Sequence, residues 1–126
     1  MRALIVDDSS FIRRYMQELL TSMDITSEQA EDGCIALQRL DRPPPAVGFD
    51  IALVDLNMPR MGGMELVRSV RSMERFAPMK LMMVTTEAAM VFVSSALRLG
   101  ADEFLMKPFS PESLKEKLRM LGLVES

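Results

Sequence analysis

The sequence predicts a doubly wound α/β domain, a five-stranded parallel sheet in the order 2-1-3-4-5 with helices on both faces. Three observations carry this reading. Strand-like and helix-like runs alternate five times along the 126 residues. The strand-like runs Leu4-Ile5-Val6, Ile51-Ala52-Leu53-Val54 and Leu81-Met82-Met83-Val84 are continuously apolar, as strands buried on both faces require. Right-handed crossovers then favour a winding whose ligand crevice lies beyond the carboxyl ends of strands one and three.

Each element has a local cause. The first strand runs into Asp7-Asp8. The first helix, residues 11 to 23, repeats Phe11, Ile12, Tyr15, Met16, Leu19, Leu20 and Met23 on a 3.6-residue period, with Ser9 or Ser10 as N-cap. A weak strand near Ile25 to Ala30 precedes a helix from Asp32 to Leu40, and Pro43-Pro44-Pro45 makes a stiff turn. The third strand ends at Asp55. A Gly62-Gly63 turn opens a helix carrying Met64, Leu66, Val67 and Val70, which Pro78 closes off. Residues 79 to 85 form strand four, 88 to 99 a helix stopped by Gly100, 103 to 106 strand five, and 111 to 121 the last helix. Ser110-Pro111-Glu112 supplies that helix with a cap, a first-turn proline and a first-turn acid.

Composition narrows the function. The length fits a single domain spanning 1–126, and no apolar run nears the ~20 residues of a membrane helix. With 15 basic and 18 acidic residues, net charge −3, the chain lacks the broad cationic surface of a nucleic-acid binder. It contains no histidine, which excludes Ser-His-Asp triads, histidine-ligated zinc and any phosphohistidine of its own. A lone cysteine, Cys34, allows no internal disulfide and sets a reducing, cytoplasmic location as the expectation. The 13 methionines read as adaptable core filler, with Met90 the expected surface exception.

The chemistry gathers at strand ends. Asp7 and Asp8 end strand one, Asp55 ends strand three, Thr85 ends strand four and Lys107 ends strand five. Adjacent strands lie ~4.8 Å apart, so the acids of strands one and three should meet. Two carboxylates ~4 Å apart repel by about 4 kcal/mol at an effective dielectric near 20, which calls for a cation. Oxygen-only ligands point to Mg2+, held by carboxylates, waters and a carbonyl such as that of Asn57. Lys107 can reach back across strand four to meet added anionic charge, and the Thr85 hydroxyl can donate to the same anion. A phosphoryl group on Asp55 satisfies all of these, with aspartate as the nucleophile.

Asp7-Asp8, Asp55, Thr85 and Lys107-Pro108, in this order and spacing, resemble the response-regulator receiver domain, a flavodoxin-like (βα)5 fold. The stretches Asp55-Leu56-Asn57-Met58-Pro59, Met61-Gly62-Gly63-Met64-Glu65-Leu66 and Gly100-Ala101-Asp102-Glu103-Phe104 are similar to family stretches as well. Because the chain stops soon after the fifth helix, it most resembles the stand-alone chemotaxis type, with no output domain expected. The resemblance implies that a partner histidine kinase or histidine phosphotransfer protein phosphorylates Asp55. It implies that Asp8, Asp55 and the Asn57 carbonyl hold Mg2+ directly while Asp7 helps through water. It further implies that Thr85 and Lys107 read the phosphoryl group, that Phe104 packs inward in response, that Asn57 and Glu87 tune self-dephosphorylation, and that the Lys107-Pro108 peptide is cis. Where chemotaxis members often carry tyrosine, Phe104 has no hydroxyl to offer a motor partner.

The helix from Ala88 to Leu99 has apolar residues nearly all round. An uncovered stripe there predicts that helix four, strand five and helix five bind an output protein or a second copy. Two alternatives stand beside this reading. A receiver excised from a longer regulator fits the same motifs. A haloacid-dehalogenase-type phosphatase also uses Asp, Thr and Lys on a parallel sheet, but it needs an acid where this chain has Asn57.

Overall fold

The structure, a computed structural model, describes residues 1–42, 48–56 and 61–125. Its elements run β1 (Arg2–Val6), α1 (Ser10–Ser22), β2 (Thr26–Ala30), α2 (Gly33–Leu40), β3 (Ile51–Asp55), α3 (Gly63–Arg71), β4 (Lys80–Thr86), α4 (Val93–Leu99), β5 (Glu103–Lys107) and α5 (Pro111–Met120). All strand pairs are parallel and the order is β2-β1-β3-β4-β5, as the alternation predicts. Two apolar layers sandwich the sheet. Met16 and Leu20 of α1 and Leu114 and Leu118 of α5 cover Ile5, Leu53 and Met82. Ala36, Val67 and Ala96, from α2, α3 and α4, cover Leu4, Val54 and Met83 on the other face. Successive strand residues serve opposite layers, so every position must be apolar, which is why the strands read as unbroken runs.

The local signals act where expected at most ends. The Ser9 hydroxyl accepts from the Ile12 N–H, the Asp32 carboxylate from Ile35, and Ser110 and Ser113 cap α5 reciprocally. Helix four departs from expectation. Residues Glu87–Phe92 form a 3-10 helix, and only Val93–Leu99 is α-helical. No side chain caps the segment at Thr86, and a chain that is apolar on all sides cannot turn every residue to the sheet. A second 3-10 turn spans Glu74–Phe76.

Two expectations about side chains are corrected. Phe11, expected on the buried stripe of α1, is 77% exposed and joins neither apolar layer. Met90 packs partly buried against the core, whereas Met106 and Met120 are the exposed methionines of the later elements. The triple proline at Pro43-Pro44-Pro45 lies outside the described residues.

Arg71 ties the lower half of the α3–β4–β5 side. Its guanidinium donates to the Gly100, Phe76 and Met79 carbonyls at 2.8, 2.9 and 2.7 Å and to Asp102 at 2.9 Å. Gly100, at φ 120°, is required there, since a Cβ would lie 2.6 Å from Arg71 Cγ. Arg71→Met removes all four bonds, while the Phe76 carbonyl and Asp102 keep the Met79 and Leu81 N–H donors; it should cost about 2 to 4 kcal/mol, read as a lower urea midpoint with unchanged slope.

At the β1–β2 edge Glu28 takes Arg2 at 2.7 Å and Arg42 at 2.5 Å. The Arg42 hydrogen bond, aided by Arg2, holds the Glu28 carboxyl below its ordinary value against the opposing cost of burial. A lowered folded-state pKa stabilises the fold above the unfolded value of about 4.3, and this contribution is lost as pH falls through the folded value. The urea-midpoint gap between wild type and Glu28→Gln should therefore be present at neutral pH and close in acid.

Candidate phosphoacceptor site

The site sits where β1, β3, β4 and β5 end almost level. Val6 pairs with Val54, Asp55 with Val84 and Lys107 with Thr86. The next residues therefore emerge together at one sheet edge. Gly63 at the start of α3 closes against β3, where a Cβ would lie 2.3 Å from the Asp55 carbonyl oxygen. Only glycine lets the helix approach the Asp55 backbone this closely.

Asp7, Asp8 and Asp55 each place a carboxylate oxygen within 4.8 Å of the others. Asp7 and Asp55 are buried, at 1% and 7% exposure, while Asp8 is open to solvent. Lys107 reaches across β4, with Nζ 2.9 Å from Asp7 Oδ2 and 3.8 Å from Asp55 Oδ2. Its Lys107-Pro108 peptide is cis. One ammonium against three carboxylates leaves a formal charge of about −2 in a partly dry edge, a field suited to a divalent cation. Both Asp7 oxygens are already engaged, Oδ1 by the Ser9 N–H at 2.9 Å and Oδ2 by Lys107. Asp8 has no side-chain partner among the described residues, so its carboxylate is free to bind an ion.

The remaining expected residues stand around this centre. Thr85 is buried and its hydroxyl donates to the Thr86 carbonyl at 3.2 Å rather than to the acids. Phe104 is partly buried against the α2–α3–α4 layer, with the Lys117 ammonium 4.3 Å from its ring centroid and 3.0 Å from Glu103. Glu87 is exposed at the first position after β4. Asn57 lies outside the described residues. Beside the site, Leu56, Met64, Ala88 and Phe92 line an open cleft of about 420 Å³. A cavity of about 380 Å³ between Arg39, Phe49 and Phe76 lies at the opposite strand ends and is lined by none of Asp7, Asp8 and Asp55. Sequence reasoning missed Arg13, whose guanidinium bonds the Asp7 carbonyl at 2.6 Å.

Comparison with known proteins decides the family. The model of the response regulator receiver domain matches residues 3–119. The chain belongs to the response-regulator receiver family. The chemotaxis protein CheY1 of Helicobacter pylori is 38% identical over 122 residues, 96% of each chain. The CheY of Pseudomonas aeruginosa is also 38% identical, over 96% of this chain and 95% of its own. Among solved structures, the chemotaxis response regulator CheY4 of Vibrio cholerae superposes with a TM-score of 0.85 at 33% identity, covering 95% of this chain and 97% of that one. Receivers of this type are signalling modules, and the phosphatase alternative is not favoured by any of these matches.

Proposed function

We propose that this receiver is a chemotaxis-type phosphorylation switch in which Asp55 accepts a phosphoryl group from a histidine on a partner kinase or phosphotransfer protein. The observation that carries the reading is the meeting of Asp7, Asp8 and Asp55 within 4.8 Å beside the Lys107 ammonium. The donor histidine must come from outside, since the chain has none. An Asp55 carboxylate oxygen forms the new O–P bond as the donor N–P bond breaks and the imidazole departs.

The donor set fits Mg2+. Asp8 and Asp55 would hold the ion directly and Asp7 through water, with the Asn57 carbonyl as a further ligand. When bound, the ion neutralises charge on the transferring oxygens. Lys107 already bridges toward Asp55 and needs little movement to meet a phosphoryl oxygen. Thr85 would exchange its Thr86 carbonyl for the same group. That exchange leaves room for Phe104 to pack inward and alters the face of α4, β5 and α5. Val91, Phe92, Leu97 and Met106 give that region exposed apolar surface, suited to an output protein or a second copy. Glu87, exposed beside the strand end, would tune access of hydrolytic water together with Asn57. No described helix is long and apolar enough to cross a membrane.

The test is incubation with Mg2+ and acetyl phosphate. The reading predicts one phosphoryl equivalent per chain, with amide shifts at Thr85 and Phe104. Sustained turnover of phosphate esters at more than one equivalent would identify a phosphatase instead.

A further inference from the structure

Asp7 is tied at four points. Its N–H donates to the Ala30 carbonyl at 3.1 Å, and Ser9 and Lys107 engage its two carboxylate oxygens. Its carbonyl accepts from Arg13 Nη1 at 2.6 Å. That carbonyl and the Asp8 N–H belong to one planar peptide unit, so a bond that fixes the oxygen fixes the plane from which Asp8 hangs. Asp8 needs such help, because its exposed carboxylate has no partner of its own among the described residues. Arg13 is itself held, with Nε donating to Gln29 Oε1 at 3.1 Å and Gln29 Nε2 donating to Gln17 Oε1 at 2.8 Å. The row runs from α1 and β2 to the peptide that carries the acid.

We propose that Arg13 is a positioning residue for the cation site: through the Asp7 carbonyl it sets the Asp7–Asp8 peptide and so aims the Asp8 carboxylate at the ion shared with Asp55. The inference rests on the Mg2+ reading above. Arg13 binds neither phosphoryl group nor ion. Its hydrogen bond and its charge pull in opposite directions, since a guanidinium acting only as a charge would repel the ion and its removal would tighten binding. A guanidinium that preorganises Asp8 has the reverse effect on removal.

The experiment is amide NMR of the whole chain with Mg2+ titration. In metal-free Arg13→Met the Asp8 amide should shift and broaden, and the Mg2+ dissociation constant should rise roughly tenfold, the lower end of what losing an outer-shell partner costs. Arg13→Lys, which keeps the charge but loses the fork, should recover only part of the affinity. Gln29→Leu, which frees Arg13 without changing any charge, should act in the same direction more weakly, and it serves as the deciding variant if Arg13→Met does not fold. An unmoved Asp8 amide, or Mg2+ binding that is unchanged or tighter, overturns the proposal. Wild type that binds no Mg2+ would overturn the metal reading instead, while the Asp8 amide of the metal-free variants still tests Arg13.

Discussion

Asp55→Asn should abolish the response to acetyl phosphate and to beryllofluoride while the protein stays folded. The amide cannot serve as the nucleophile toward phosphorus and carries no negative charge for a cation. Asp55 is 7% exposed and Lys107 lies 3.8 Å away, so the substitution removes one of the charges that the ammonium offsets. Lys107 keeps Asp7 at 2.9 Å, and one acid leaves a crowded trio. The metal-free variant should therefore be no less stable than wild type in urea, yet should show no amide shift at Thr85 or Phe104 with donor and Mg2+. A retained phosphorylation signal in this variant would place the acceptor elsewhere.

Lys107→Met should have the second largest effect, through both stability and response. Asp7 is 1% exposed, and its carboxylate loses the ammonium at 2.9 Å. Breaking a dry ion pair by removing one member costs about 3 to 5 kcal/mol, and the 19% exposure of the Lys107 side chain lowers the expected loss to about 2 to 3 kcal/mol. Millimolar Mg2+ should restore part of that loss, because a bound cation takes over the neutralisation and binding to the folded state adds stability by mass action. The response to beryllofluoride should not be restored. Without the ammonium the added anion loses a charge-assisted hydrogen bond, and beryllofluoride affinity should fall tenfold to about a hundredfold. Urea melts with and without Mg2+, followed by beryllofluoride titration, separate the two effects.

What could be read from the chain follows from where its physics is local. β1, β3 and β4 are buried on both faces, so their apolar runs alone mark a parallel sheet. Asp7, Asp8, Asp55 and Lys107 could be placed at one edge because each follows such a run, and the winding brings strand ends together. Ser110 announced α5 by its own cap. Other features depend on surroundings that no short window contains. Phe11 satisfies a helical period yet joins neither apolar layer, and Met90, in the 3-10 segment, packs against the core. Arg13 was invisible for a different reason: its partner is a backbone carbonyl, which leaves no mark in side-chain pattern. The state of Thr85, hydrogen-bonded to Thr86 and not to the acids, likewise needed the fold.

The central claim is that the converging edge acids and Lys107 make Asp55 the phosphoryl acceptor. Its most direct test is to treat the chain with Mg2+ and a small-molecule phosphodonor, reduce the acyl phosphate with borohydride, and map the modified position by peptide mass spectrometry. The account predicts reduction of one aspartate to homoserine, at position 55 and dependent on Mg2+. Homoserine at position 7 or 8, or none at any position under conditions that leave the fold intact, would contradict it.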